Sequence, residues 1–128
     1  MSDADPFAGP GPDKIYRDHL AAGRLELPHC RDCGRHHFYP RALCPHCASP
    51  HLEWRTASGK GVVYSTSVVR QKPEAGGDYN VALIDLAEGP RLMSRVDGIA
   101  PTDVRIGMAV TAQIITERDQ PLLVFQPA

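Results

Sequence analysis

The chain has 128 residues, 42% hydrophobic and 23% charged, with a net charge of −1 and an isoelectric point near 6.6. That allows one modest core, or a smaller core plus a metal-stapled module. Charge is even, with seven basic and seven acidic residues in 1–56 and seven and eight in 57–128, so no basic patch for nucleic acid is evident. No apolar run reaches membrane-spanning length.

Residues 1–12, MSDADPFAGPGP, are small, acidic and proline-rich, and read as a loose arm. They lack the basic and apolar regions of a secretory signal, so a reducing cytoplasm is the expected location. Asp13 is placed to cap a helix over 14–22, with Gly23 as its stop, making 13–23 an N-terminal helical unit. Ile15, Tyr16, His19 and Leu20 form a largely apolar stripe at helical spacing. A helix this short must pack on something, either its own domain or a partner.

Leu25 to Pro28 reads as a short strand leading into CRDCGRHHFYPRALCPHC, the stretch that holds all four cysteines. Cys30-x-x-Cys33 and Cys44-x-x-Cys47 are separated by ten residues. Each pair bends the backbone into a knuckle, and the span between them is expected to be a hairpin that returns one knuckle to the other. Four thiolates at one tetrahedral centre suit a structural zinc ion with no open position, and the short span indicates a compact ribbon. In an oxidising compartment the same residues would form two disulfides, and iron in a rubredoxin-like site shares the ligand set. His29, His36, His37, His46 and His51 crowd the site and read as exposed or supporting polar groups. Phe38, Tyr39 and Pro40 lie within the ribbon and Trp54 beyond it, either covering the metal or meeting a neighbouring domain.

Leu52 to Thr56 is the strand leaving the ribbon, so the ribbon spans 24–56. Ala57 to Gly61 reads as a flexible boundary, and 57–128 as a second domain. Gly59-Lys60 does not make a phosphate loop, because Gly61 stands where Ser or Thr is required. Strands are expected over 62–70, 79–86, 92–96, 108–116 and 122–125, with a single helical turn at 101–103. The chain is therefore mainly β. Five strands with the main irregular insert after the third, and a long first strand, fit an OB barrel, although other small five-strand barrels share the count. Strand alternation points Leu92 and Val96 inward, and Arg91, Met93 and Arg95 outward.

Read in order, the motifs form a series. Gly23-Arg24-Leu25, C-x-x-C-G, Tyr39-Pro40-Arg41 and C-P-x-C are followed by Leu52-Glu53-Trp54 and Ser58 to Val63. Tyr64-Ser65, the block Asp85 to Leu92 and Ile106 to Val110 complete it. This series resembles the zinc-ribbon/OB-fold acyl-CoA-associated family, long known as domain of unknown function 35. Ala48 departs from the glycine often found after the second knuckle. The resemblance implies a rubredoxin-like zinc ribbon followed by an OB barrel. It also implies a non-catalytic accessory subunit of a thiolase-superfamily enzyme: a thiolase, an acyltransferase, or a retro-aldol lyase acting on acyl-CoA, steroid side chains included. On that reading zinc sits on Cys30, Cys33, Cys44 and Cys47, and Ile15, Tyr16, Phe38, Tyr39 and Trp54 supply partner surface.

Arg91 and Arg95, about 13 Å apart on one strand face, are candidates for CoA phosphates, against the simpler reading of a solvated charged face. Lys60, Arg70 and Lys72 are weaker candidates. The chain carries no nucleophile elbow, zinc-protease helix or paired-carboxylate motif. The alternative class is a single-stranded nucleic-acid module, for which the barrel offers only Tyr64, Tyr79 and Phe125 and no basic surplus.

Overall fold

The computed structural model describes residues 11–128, so most of the arm read over 1–12 lies outside the described residues. Helix α1 runs Pro12–Ala21. Its start differs from the expected Asp13 cap. Pro12 takes the first helical position, where its fixed φ suits the helix and its missing N–H costs nothing. The Gly11 carbonyl accepts from Lys14 and Ile15 at 3.1 and 3.2 Å. Asp13 sits in the first turn, favourably placed against the helix dipole. Gly23 ends the helix as expected, at φ 81°, while the Arg24 amide donates to the His19 carbonyl at 2.9 Å.

Strand β1 (Glu26–Cys30) pairs antiparallel with β2 (Leu52–Thr56), with Cys30 opposite Leu52. This pairing carries β1 two residues further than the sequence suggests. The span between the knuckles is not a regular hairpin. Its one ladder contact is an isolated bridge from His29 to His36, so the two strands outside the knuckles hold them together.

Five strands follow: β3 (Lys60–Val69), β4 (Tyr79–Leu86), β5 (Arg91–Ser94), β6 (Ala109–Glu117) and β7 (Gln120–Pro127). Their order is β5-β4-β3-β6-β7, all antiparallel, with a single 3-10 turn at Pro101–Asp103 between β5 and β6. A bulge between Val63 and Ser65 bends β3, which lets its first residues pair with β6 and nearly its whole length with β4. The sheet curls until its two edges meet. There the Phe125 amide donates to the Arg95 carbonyl at 3.0 Å, and the Asp97 amide donates to the Phe125 carbonyl at 2.7 Å. This is the curled five-stranded sheet of an OB fold.

Three expectations change here. Gly61 is not part of a flexible boundary: it is buried in β3, and a Cβ there would come within 2.7 Å of Ile84 Cγ2. Strand β5 begins and ends earlier than expected, because beyond Ser94 the backbone turns to bond β7. Arg95 therefore lies past the strand and does not share a strand face with Arg91. Phe125, read as a barrel aromatic, is completely buried and has no face free to stack on a base.

One core joins all three parts. Tyr16 and Leu20 of α1, Leu27 of β1 and the barrel residues Val63, Ile84, Leu92, Val110 and Phe125 form one buried cluster. The apolar stripe of α1 thus packs on its own chain. Burial pushes the Tyr16 hydroxyl up to about 12, with Tyr39 adding to the effect. The folded chain holds this proton to higher pH than the unfolded chain does. Stability is therefore complete below the ordinary value of 10.0 and is lost as pH rises towards about 12. Comparing denaturation of the wild type and Tyr16→Phe across that range should show a loss of about 2 kcal/mol that the variant lacks.

Candidate metal centre

The two knuckles are built alike. At the first, the Gly34 amide donates to the Cys30 carbonyl at 2.9 Å; at the second, the Ala48 amide donates to the Cys44 carbonyl at 2.7 Å. Both turns need a left-handed residue, with φ 76° at Gly34 and 64° at Ala48. An alanine there is strained by about 1–2 kcal/mol, partly offset by the greater unfolded-state freedom of glycine. Ala48→Gly should therefore stabilise the chain by about 0.5–1 kcal/mol, read as a raised denaturation midpoint.

These turns bring the four sulfurs within 4.8 Å of one another, with Cys30 and Cys44 buried and Cys33 and Cys47 towards the surface. The Cys30–Cys47 and Cys33–Cys44 separations are 3.5 and 3.7 Å. A tetrahedron of sulfurs about 2.3 Å from a central ion has edges of about 3.8 Å, so the donor set fits a four-coordinate metal. Amides strengthen the fit: those of Cys33 and His46 point at the Cys30 and Cys44 sulfurs, each at 3.4 Å. The Cys33 amide draws the Cys30 thiol down to about 6. An amide contact from Ser49 pulls on Cys47, but burial and the three neighbouring sulfurs push it up to about 12. Four adjacent thiols cannot all ionise unaided, and a bound cation supplies the missing charge.

Polar contacts brace the knuckles against each other. The Asp32 carboxylate accepts from the Ser49 hydroxyl and lies 2.8 Å from His51 Nδ1. Those two hydrogen bonds, that from Ser49 foremost, hold the Asp32 carboxyl below its ordinary range. His29 is buried between Glu53 (3.0 Å) and the Gly34 carbonyl (3.1 Å), which ties the first knuckle to β2.

Residues 17–53 match the family described as the ChsH2 rubredoxin-like zinc ribbon domain, and residues 54–114 match the ChsH2 C-terminal OB-fold domain. The chain is 32% identical to a chain of a solved "Ltp2-ChsH2(DUF35) aldolase", with a TM-score of 0.81 over 94% of this chain and 97% of that one. This protein belongs to the ChsH2 (DUF35) family. Other members include a "DUF35 domain-containing scaffold protein" of Methanocaldococcus jannaschii, 40% identical over 65% of this chain. A "Probable enoyl-CoA hydratase alpha subunit" of Thermomonospora curvata is 38% identical over 82% of this chain. This DUF35 chain spans 62% of the scaffold protein's length and 34% of the hydratase subunit's. Its centre is thus a structural metal site of rubredoxin-like form. None of its described helices is long and apolar enough to cross a membrane.

Of the five expected surface residues, Tyr16 is buried, Ile15, Phe38 and Trp54 are half-buried, and only Tyr39 is exposed, at 51%. Tyr16 meets Phe38 edge-on at 5.4 Å. The structure does not bring Arg91 and Arg95 together. Arg91 pairs with Asp85 at 2.6 Å and lies 3.3 Å over the Tyr64 ring, while Arg95 pairs with Asp97 and Glu117. Arg91 faces a cleft of about 550 Å³ between ribbon and barrel, together with Arg35, His37, Phe38, Arg41 and Glu88. Arg95 lies at a different groove, beside Tyr79 and Met93. Two features were not legible in the sequence, the unpartnered ring of buried His37 and the buried, unpartnered carboxylate oxygen of Glu88. The first belongs to one of five crowded histidines, and the second to a residue inside a motif block with no stated role.

Proposed function

We propose that this chain is a non-catalytic subunit of an acyl-CoA-processing enzyme complex. It docks on a thiolase-superfamily partner, of thiolase, acyltransferase or retro-aldol type, and supports that partner's folding or its hold on acyl-CoA. The observation that carries this reading is the near full-length likeness to a chain of the Ltp2-ChsH2 aldolase. The scaffold and CoA-hydratase subunit names of other relatives agree with it.

The metal is zinc, held by Cys30, Cys33, Cys44 and Cys47, because a closed four-thiolate set with no open ligand position suits this ion in a structural role. Docking uses the groove where Tyr39 stands exposed alongside Met93, itself 70% exposed, with Tyr16 and Phe38 also lining it. Affinity purification of the tagged chain from its native host tests the reading. A thiolase-superfamily protein should be captured, and Met93→Glu or Tyr39→Ala should lose at least about tenfold in recovery. Capture of nucleic acid or of no such enzyme would contradict the reading.

A further inference from the structure

Two short sulfur contacts of the metal centre run between the knuckles, Cys30 to Cys47 at 3.5 Å and Cys33 to Cys44 at 3.7 Å. Each joins a buried sulfur to one at the surface, since Cys30 and Cys44 are buried and Cys33 and Cys47 exposed. An oxidant therefore meets Cys33 and Cys47 first. Each of them has a partner sulfur about 1.5 Å beyond the length of a disulfide bond. The amides of Cys33 and His46, at 3.4 Å, hold the two buried sulfurs in place for that step.

The ribbon is also held by contacts that do not pass through the ion. Strands β1 and β2 pair along five residues, and Asp32 of one knuckle binds Ser49 and His51 beyond the other. Leu27 lies in the common core and Phe38 packs against it. These contacts are too few to replace the ion, but they keep the knuckles in register while the sulfurs change partners. Two covalent links across the same gap would take over the staple, closing one loop from residue 30 to 47 and a second, inside it, from 33 to 44.

We infer that the centre is a reversible oxidant-driven switch. A peroxide converts the four thiolates into Cys30–Cys47 and Cys33–Cys44 disulfides and frees the ion, while the ribbon keeps its fold. The exposed thiolate attacks one peroxide oxygen; the O–O bond breaks, hydroxide leaves and the cysteine becomes a sulfenic acid. The thiolate of its buried partner then attacks that sulfur, the S–O bond breaks and a second hydroxide leaves, which completes the disulfide. Each pair gives two electrons to one peroxide, so two peroxides are reduced for each ion released. A dithiol reductant, itself oxidised to a disulfide, reverses the reaction and regenerates the ligand set. The switch needs only the four-sulfur centre, and no partner protein takes part in it.

The test uses the full zinc-loaded chain, hydrogen peroxide and a chromogenic chelator that reports free ion. Bound metal should fall from one ion per chain to near zero, with about two peroxides consumed per ion. The oxidised chain should keep a cooperative thermal transition, and dithiothreitol with fresh zinc should restore the bound ion. Digestion without reductant reads the pairing. Trypsin cuts after Arg31 and Arg41, so links across the knuckles hold the peptide of Cys44 and Cys47 to those of Cys30 and Cys33, whereas links within the knuckles release it. Fragmentation between Cys44 and Cys47 then assigns each bond. Pairing within the knuckles, an unfolded metal-free product, oxidation of the exposed cysteines past the sulfenic stage, or an ion retained in excess peroxide would each overturn the proposal. Those outcomes leave the docking proposal standing, and failure to capture a partner leaves the switch standing.

Discussion

Cys44→Ser is expected to release the metal and unfold the ribbon. Cys44 is 2% exposed, its sulfur lies 3.7 Å from that of Cys33, and its amide donates to the Ser49 carbonyl at 2.9 Å. A hydroxyl is a poor replacement for a thiolate at a soft tetrahedral site. Structural zinc sites are worth about 10–16 kcal/mol at neutral pH, as much as the whole stability of a typical domain. The loss would spread, because Leu27 of β1 shares the core with Tyr16 and Leu20 of α1, and Phe38 packs against it. Metal content should fall from one ion per chain to near zero, the remaining thiols should titrate freely, and the thermal transition should broaden or vanish. A variant that kept its metal and melted like the wild type would contradict the organising role given to the ribbon.

Phe125→Ala is expected to be the most damaging change in the barrel. This side chain is fully buried, and its backbone closes the seam through the Arg95 carbonyl and the Asp97 amide. Val96 meets it in a parallel bridge between the sheet edges. Truncation to alanine leaves a cavity where the curled sheet has few ladder bonds to compensate. The cost should be about 3–5 kcal/mol, or a fall of about 10–20 °C in Tm. A loss under about 1 kcal/mol would mean that the seam holds without this ring.

The metal centre and much of the barrel were legible in the sequence because their signals are local. Two C-x-x-C knuckles specify a ligand set by spacing alone, and β2, β4 and the turn at Pro101–Asp103 fall where alternation and proline place them. The features that were misread depend on distant partners. Where β5 ends is decided by β7, so Arg95 could not be seen to leave the strand. Gly61 looks like punctuation until Ile84 is placed against it. Tyr16 could have served a partner as easily as the core until Phe38 and β7 were in position. His37 is buried like His29 but, unlike it, has no hydrogen-bond partner for its ring, a difference that spacing does not encode.

The central claim is that a metal-stapled ribbon, helix and OB barrel act as one supporting body for an acyl-CoA enzyme. It is tested most directly by assaying the captured partner purified alone and recombined with this chain. The partner alone should be poorly active or insoluble, and the wild-type chain should restore it. A partner fully active and soluble without the chain would contradict the account.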